Sequence, residues 1–306
     1  MSCLPIEIDS AVKQYGPVTA LAGVSLTVGA GEMFGLIGHN GAGKSTLFKL
    51  MLGLIPATTG TLRLHGVATG GAAFRDVRRR IGYLPENFVT YDNLSGAEVL
   101  ALFADLKQVP RAACAGLLQQ VGLDDAAGRR VQTYSKGMRQ RLGLAQVLLG
   151  EPDLIFLDEP TNGLDPAGIA DFYAILRAAQ ARGATIVITS HILAEIQERV
   201  DRLAILQAGK LAALGTLPQL RAATRLPSVI EASVDPAQGA RVAAALAQLP
   251  EVQATVRDGQ AHITCPAARK AAVLGVLGAA LRDIVIREPS LEQLFLGYGG
   301  AHAGRH

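Results

Sequence analysis

The stretch that decides the fold is a glycine-rich run ending in lysine and serine, Gly38-His39-Asn40-Gly41-Ala42-Gly43-Lys44-Ser45. It matches the pattern G-x-x-x-x-G-K-[ST]. A short apolar strand is predicted before it, from Met33 to Gly38, and a helix carrying Leu47, Leu50 and Leu54 is predicted after it. In that context the amides of the loop and of the helix N-terminus can surround a phosphate group.

Strands and helices alternate through the first two-thirds of the chain. Three further short apolar strands are predicted at Arg80 to Leu84, Leu154 to Asp158 and Thr185 to Ser190. A well-marked helix begins after Asp165, its predicted N-cap, and ends before Gly183. This alternation predicts an α/β fold with a mainly parallel sheet flanked by helices.

The middle and the C-terminal third of the chain do not follow this alternation of strands and helices. Residues from about 87 to 150 are predicted to form a helical subdomain, in which Ser95 and Glu98 make a capping box. Beyond Leu226 the order is β-α-β-β-α-β, which is typical of a ferredoxin-like split unit. We therefore predict a first domain over residues 1–222, a small C-terminal α+β domain over 226–298 and a tail over 299–306.

Composition narrows the function classes. A net charge of only +3 gives no electrostatic reason to expect a nucleic-acid partner. The three cysteines, Cys3, Cys114 and Cys265, are odd in number and far apart, which argues against a disulfide framework. No secretory signal is predicted, and the longest apolar run, Ala271 to Leu281, is too short to span a membrane. Any membrane association is therefore expected to come through a partner.

Two carboxylates and a histidine follow the ends of predicted strands. Lys44 can place a positive charge on the β- and γ-phosphates of a nucleotide, and Ser45 can offer a hydroxyl to Mg²⁺. Asp158 can hold Mg²⁺, Glu159 can polarise an attacking water, and His191 can hydrogen-bond phosphate. Without the glycine-rich loop, a strand ending in Asp-Glu is about as often a solvated turn, and a lone histidine is more often structural.

A second helix start has the chemistry of a phosphate site, in the run Tyr134-Ser135-Lys136-Gly137-Met138-Arg139-Gln140-Arg141. Ser135 can cap this helix, and Gly137 lets its backbone approach a ligand. One phosphate needs one such loop, so a second site points to a nucleotide carried by another subunit. The alternative is an ordinary capped helix.

Together these pieces resemble the nucleotide-binding subunit of ABC transporters over about residues 4 to 220. Tyr134 to Met138 resembles the family signature, which is usually LSGGQ, in the YSKGM form of the ABC-2-type exporter branch. The resemblance implies a P-loop NTPase fold with a helical subdomain, ATP and Mg²⁺ as cofactors, and ATP hydrolysis. It implies Lys44, Glu159 and His191 as the catalytic residues.

The resemblance also assigns the remaining contacts. Tyr15 corresponds to the aromatic residue that stacks on adenine, and the phosphate loop extends to Thr46. Mg²⁺ ligands correspond to Ser45, Glu86 and Asp158. The signature contacts are Ser135, Lys136, Gly137 and Met138, and the D-loop is Gly163, Leu164 and Asp165.

One position departs from the family pattern. The family has glutamine after Gly82-Tyr83-Leu84-Pro85, where this chain has Glu86. A carboxylate oxygen can still reach Mg²⁺, but it adds negative charge beside the γ-phosphate. The departure therefore bears on the tuning of hydrolysis rather than on ATP binding.

A narrower resemblance concerns cargo. Residues 38–40, 82–87 and 134–146 resemble the ATPases of transporters that mature the copper centres of nitrous oxide reductase, and Pro289 to Glu292 resembles the PSLE element that closes ABC-2-type ATPases. His262 and Cys265 lie three apart in a predicted strand, so they point to opposite faces and are not expected to form a copper site.

The resemblance implies the following partners and location. Two copies are expected to form a head-to-tail dimer around two ATP molecules and to drive an integral membrane permease from the cytoplasmic face of the inner membrane, with a periplasmic accessory protein as a further partner. Phe88, Tyr91 and Leu94 are predicted to meet the permease, unless they fold back onto the helix Ala97 to Lys107.

Three other functions compete with copper-centre maturation. The chain can be the ATPase of another ABC-2-type exporter, a soluble ABC ATPase acting on nucleic acid, or a regulated scaffold built on its C-terminal domain. Nucleic-acid ATPases of this family usually carry long coiled-coil insertions or two modules in one chain, and this chain has neither.

Overall fold

The computed structural model describes residues 4–192, 196–223 and 227–288. The chain divides into two compact units, Met1–Gly215 and Thr216–His306. The sequence placed this boundary between residues 222 and 226, whereas the structure assigns the helix Leu217–Ala223 to the second unit.

The strands described in the first unit are β1 (Ile6–Tyr15), β2 (Val18–Val28), β3 (Met33–Ile37), β4 (Thr59–Leu64), β5 (Val67–Ala68), β6 (Ile81–Leu84), β7 (Leu154–Asp158), β8 (Thr185–Ser190), β9 (Arg202–Gln207) and β10 (Lys210–Gly215). Its described helices are α1 (Lys44–Met51), α2 (Phe74–Arg79), α3 (Gly96–Lys107), α4 (Ala113–Gln120), α5 (Lys136–Leu148) and α6 (Pro166–Ala181), with a 3₁₀ turn at Val131–Thr133.

A six-stranded sheet in the order β10-β9-β3-β8-β7-β6 forms the centre of this unit. Every neighbouring pair from β9 to β6 is parallel, which confirms the predicted α/β fold. All residues of β3, β7 and β8 are buried, as expected for strands covered on both faces. A second, antiparallel sheet has the order β2-β1-β4-β5.

Helix α1 packs its apolar face on the parallel sheet. Phe48 meets Phe156 of β7 edge to face, with ring centroids 5.6 Å apart. Leu47 and Leu50 are buried, but α1 ends at Met51 and Leu54 lies beyond it with 57% of its surface exposed. The prediction that this helix extends to Leu54 is therefore wrong, because the chain turns at Gly53, where φ is +63°.

The helical subdomain begins with the capping box predicted at Ser95. The Ser95 hydroxyl accepts a hydrogen bond from the Glu98 amide, and the Glu98 carboxylate accepts one from the Ser95 amide at 2.8 Å. The hydrogen bonds that the Ser95 amide and hydroxyl donate to the Glu98 carboxylate lower the pKa of Glu98. The box fixes the point at which the chain leaves the loop after β6 and enters α3.

The second unit contains α7 (Leu217–Ala223), β11 (Ser228–Val234), α8 (Gly239–Ala247), β12 (Gln253–Arg257), β13 (Gln260–Cys265), α9 (Lys270–Leu277) and β14 (Leu281–Arg287), with 3₁₀ turns at Pro236–Gln238, Ala267–Arg269 and Gly278–Ala280. From β11 onward this is the predicted order β-α-β-β-α-β. The sheet runs β12-β13-β11-β14 with every neighbouring pair antiparallel.

The core of the second unit lies between one sheet face and the two helices α8 and α9. Its central residues are Ile230, Ile263, Leu246 and Leu277. His262 is exposed and Cys265 is buried, so they lie on opposite faces of β13 as predicted. Residues 289–292, which carry the PSLE resemblance, and the tail lie outside the described residues.

No helix among the described residues is both long enough and apolar enough to cross a membrane.

Gly82 of β6 provides a test of how closely the sheet packs on α5. A Cβ added at Gly82 would lie 2.7 Å from both Cγ1 and the carbonyl oxygen of Val147. Because the carbonyl belongs to the helix backbone, we expect Gly82→Ala to lower the free energy of unfolding by about 1–3 kcal/mol.

The matched control is Gly116→Ala in α4, where an added Cβ has no atom within 4 Å. Removing a helical glycine there should raise stability by about 0.5–1 kcal/mol. Urea unfolding of both variants measures the difference, and equal stability changes would contradict the close packing at Gly82.

Candidate active site

Most of the residues predicted to bind phosphate, from His39 to Thr46 but not Gly38, meet around one cavity of about 270 Å³. It is lined by Ala20, His39, Asn40, Gly41, Ala42, Gly43, Lys44, Ser45, Thr46, Glu86, Asp158, Glu159 and His191. The glycine-rich loop, the two strand-end carboxylates, the histidine and Glu86 are therefore brought together by the fold.

The loop between β3 and α1 is shaped for an anion. Gly43 stands at the helix N-cap with φ of +106°, and a Cβ there would lie 2.8 Å from the carbonyl oxygen of Ala20. No side chain caps α1, so the free amides of its first turn remain available to phosphate oxygens.

The ammonium group of Lys44 is fixed at the mouth of this loop. Its Nζ donates to the carbonyl of Gly38 at 2.5 Å and to that of His39 at 3.4 Å. Its distance to Oε1 of Glu159 is 3.6 Å, and only 7% of the Lys44 side chain is exposed. A buried cation that lines an open cavity and is held by backbone carbonyls suits an anionic ligand.

The hydroxyl of one threonine, Thr189, forms hydrogen bonds with both Asp158 and Glu159 at the end of β7. The Thr189 hydroxyl donates to Oδ1 of Asp158 at 2.6 Å and accepts from the Glu159 amide at 2.9 Å. The sequence reading did not select Thr189, although a polar residue just before the end of an apolar strand is a usable signal.

Asp158 has the character of a cation ligand. Its side chain is almost wholly buried, and this burial raises its pKa, while the hydrogen bond from Thr189 acts in the opposite direction. Burial likewise raises the pKa of the neighbouring Tyr83 to about 12, with the Asp158 charge adding to the effect. A divalent cation between Asp158, the Ser45 hydroxyl and Glu86 would offset the cost of burying this charge.

Glu159 is held from two sides. Nδ1 of His191 lies 2.6 Å from Oε2 of Glu159, and the His191 amide donates to the same oxygen at 3.3 Å. Lys44 approaches the other oxygen. Glu159 also has a left-handed backbone, with φ of +49°, so a strained conformation sets the direction of its side chain.

The predicted signature residues lie apart from this cavity. Ser135 caps α5 by accepting a hydrogen bond from the Met138 amide at 3.2 Å, and both Ser135 and Lys136 are exposed. Neither they nor Gly137 nor Met138 line the cavity. Their positions in one chain leave them free to contact a ligand bound elsewhere.

A buried glutamine joins α5 to the segment that follows β7. Nε2 of Gln140, in α5, donates to the carbonyl of Pro160 at 2.6 Å, one residue after Glu159. The Lys136 side chain packs on the D-loop, since a Cβ added at Gly163 would lie 2.5 Å from its Cδ. The sequence reading did not assign a role to Gln140.

Two other predicted contacts do not line the cavity. Tyr15 is 47% exposed at the end of β1, with Nζ of Lys13 5.0 Å from its ring centroid. Asp165 caps α6 by accepting from the Gly168 amide at 2.8 Å. The predicted N-cap is therefore confirmed, while a contact of Tyr15 or Asp165 with nucleotide stays a prediction.

The phosphate loop after β3 and the buried carboxylates after β7 define a P-loop nucleotide-binding protein. The sequence profile of the ABC transporter family matches residues 21–162. The chain is 34% identical to the daunorubicin resistance ATP-binding protein DrrA3 of Streptomyces coeruleorubidus, over 98% of this chain and 97% of that protein. It therefore belongs to the family of ABC transporter ATP-binding proteins and is an ATPase of this type.

Two other similarities agree with this family. An uncharacterized ABC transporter ATP-binding protein of Nostoc sp. is 46% identical over 66% of this chain and 62% of its own length. A solved structure of an ATP-binding subunit of an ABC transporter has a TM-score of 0.66 at 33% identity, covering 71% of this chain and 91% of that one.

The position of Glu159 predicts that one substitution can stop ATP hydrolysis while ATP binding is kept. Glu159→Gln keeps the size and most contacts of the side chain but weakens its ability to accept a proton from water. We expect the ATP dissociation constant to stay within a few-fold and turnover to fall on the order of 10²-fold or more.

The control is Glu151→Gln, at a residue that does not line the cavity. Titration with a fluorescent ATP analogue and a phosphate-release assay separate the two effects. Near-normal turnover of the Glu159 variant would exclude Glu159 as the general base.

Proposed function

We propose that this protein is the ATP-hydrolysing subunit of an ABC-2-type exporter. It acts as a head-to-tail dimer with two ATP molecules and drives an integral membrane permease from the cytoplasmic face of the inner membrane. The observation that carries the proposal is the arrangement of Glu159 between Lys44 and His191 at the end of a buried parallel strand.

The geometry supports an in-line hydrolysis in which each residue has one task. Amides of residues 41–46 and Lys44 hold the phosphates, and Glu159 orients and deprotonates the attacking water. His191 fixes the direction of the Glu159 carboxylate. Ser45, Asp158 and Glu86 would hold Mg²⁺, which neutralises phosphate charge when bound. Glu86 adds a negative charge that the family's glutamine lacks, so we expect it to tune turnover.

The exposed start of α5 supports the two-copy arrangement. Ser135 and Lys136 face solvent and do not line the chain's own cavity. In a head-to-tail dimer each α5 start would meet the nucleotide on the partner's loop, which gives two equivalent sites about a two-fold axis.

A substitution at Ser135 tests this arrangement. Ser135→Arg should stop hydrolysis while leaving the ATP affinity of the isolated monomer unchanged, because Ser135 is expected to touch only the nucleotide of the second copy. Gln119→Arg, at an exposed position of α4, serves as the control. A loss of monomer affinity in the Ser135 variant would contradict a site shared by two chains.

The permease contact is expected in the loop after Glu86, where Tyr91 is kept from the sequence-based prediction and Val89 replaces Phe88 and Leu94. Phe88 is half-buried, with its ring 6.0 Å from that of Phe103 in α3, and Leu94 is also half-buried. Phe88 thus folds back onto α3, as the alternative reading stated. Val89 and Tyr91 are 83% and 61% exposed, so these two carry the proposed contact.

Replacing both Val89 and Tyr91 with Asp should release the protein from its permease while sparing the fold and ATP binding. Leu54→Asp is a matched control, since Leu54 is an equally accessible apolar residue in a different part of the unit. Size-exclusion chromatography of the co-expressed complex in detergent measures association. An intact complex in the double variant would place the contact elsewhere.

Two cargoes compete within this proposal. The stretches 38–40, 82–87 and 134–146 favour copper-centre maturation of nitrous oxide reductase, with a periplasmic accessory protein as a further partner. The near full-length similarity to a daunorubicin resistance protein includes the C-terminal unit and favours export of a small organic compound. We propose the second cargo, because it rests on the whole chain rather than on motifs around the nucleotide.

A deletion strain decides between the cargoes. Loss of the gene should lower tolerance to an amphipathic aromatic antibiotic and leave the copper content of nitrous oxide reductase unchanged. The opposite result would establish copper-centre maturation. Complementation with the Glu159→Gln variant is the control, because it supplies the folded protein without turnover.

A further inference from the structure

The last described strand leaves one edge of the C-terminal sheet open. β14 pairs with β11 on one side, and no described strand pairs with it on the other. Such an edge presents unpaired amides and carbonyls that can template another strand. Val285 and Ile286 on this strand are 48% and 39% exposed. An accessible backbone edge and apolar side chains therefore occur together.

We propose that β14 pairs antiparallel with β14 of a second copy of this chain, about a two-fold axis at Val285. Two four-stranded sheets would then form one continuous sheet of eight strands. Taken alone, such an isologous contact closes on two copies. It uses residues of the C-terminal unit, none of which belongs to the proposed nucleotide dimer.

The register follows from the residue pattern of the strand. In a two-fold antiparallel pair, opposite residues must point to the same sheet face. Centring on Val285 places Ile284 opposite Ile286 and Asp283 opposite Arg287, all within the regularly paired part of β14. Each contact occurs twice, giving an apolar centre flanked on both sides by opposite charges.

The neighbouring registers lack this complementarity. Centring on Ile284 sets Arg282 against Ile286 and Asp283 against Val285. Centring on Ile286 sets Ile284 against Glu288 and Val285 against Arg287. Both place charged groups opposite apolar ones, so the sequence of β14 selects the register centred on Val285.

The other edge of the sheet is a poorer candidate. Self-pairing of β12 about Thr255 places Gln253 opposite Arg257 and Ala254 opposite Val256. That pairing has no opposite charges. Pairing of β12 with β14 of another copy would be head to tail and would extend without closing.

The charged side chains of β14 also have partners in the same chain. Arg287 pairs with Glu231 at 2.9 Å, and Arg282 approaches Asp235 at 3.4 Å. Glu288 pairs with Lys270 and also accepts from the Ser228 hydroxyl at 2.9 Å. Guanidinium groups have five donors and carboxylates several acceptor sites, so the contacts between copies can extend these pairs.

A single strand pair buries well under about 1,000 Å², which is typical of a weak, transient contact. A covalent trap is therefore the suitable measurement. Val285→Cys would place two thiols opposite each other, with Cβ atoms about 4.5–5.5 Å apart, close to disulfide geometry. The full-length chain is oxidised mildly without nucleotide and analysed on a non-reducing gel, with wild type as the baseline for its own cysteines.

Two controls, each with one added cysteine, test which edge of the sheet is paired and in which register. Thr255→Cys places a thiol on the same sheet face at the other edge. Asp283→Cys places one on β14, but roughly 13 Å from its copy in the proposed register. We expect the Val285 variant to give about tenfold more linked dimer than either control, since only its thiols face each other.

A charge reversal tests the flanking pairs. Adding Asp283→Arg to the Val285→Cys variant sets two arginines opposite each other twice, so dimer yield should fall about tenfold. Adding the exposed Asp125→Arg instead makes the same charge change in the other unit and should leave the yield unchanged. Equal cross-linking of all three cysteine variants, or no effect of Asp283→Arg, would overturn the proposal.

Discussion

The structure depends on the parallel alignment of β3, β8 and β7. The carboxyl ends of parallel strands meet at one edge of a sheet. This brings three groups together without long connections: the phosphate loop after β3, Thr189 and His191 at the end of β8, and the carboxylates at the end of β7. The fully buried strands cannot slip in register without burying polar groups or exposing apolar ones. The active-site geometry is therefore a consequence of the packing of the core.

The charged groups at this edge suit a nucleotide bound together with its cation. Lys44 is held by carbonyls and Glu159, while Asp158 is a buried carboxylate partly compensated by Thr189. Keeping charges buried costs stability even where hydrogen bonds hold them. A bound nucleotide with its cation would add opposite charges beside both groups. The fold thus gives up some stability to hold charged groups ready for the ligand.

Much of this could be predicted from the sequence, for identifiable reasons. The strands β3, β6, β7 and β8 were found within one or two residues, because buried parallel strands are short, apolar and bounded by glycine or charge. The capping box at Ser95 and the cap at Asp165 were found from local residue types alone. The residues that line the cavity followed from the motifs, except Ala20, which comes from β2.

What the sequence missed depended on contacts between distant segments. Thr189 and Gln140 act through partners 31 and 20 residues away, and nothing in their local pattern names those partners. Phe88 was predicted to meet the permease, with packing on the helix Ala97 to Lys107 as the alternative, and the structure shows it against Phe103 of α3. The end of α1 was misjudged because the turn at Gly53 interrupts a helical pattern that continues to Leu54.

The hydrogen bond from Gln140 to Pro160 has a consequence for timing. In a head-to-tail dimer the start of α5 would read the nucleotide of the second copy, while Glu159 would serve the nucleotide of its own chain. Gln140 is buried in α5 five residues after Ser135, and Pro160 directly follows Glu159. One hydrogen bond therefore connects the helix that would contact one nucleotide to the residue after Glu159, the base that would activate water at the other nucleotide. Two-site cooperativity in such a dimer would need no domain movement, only a shift of this helix that a buried amide transmits to the neighbouring strand.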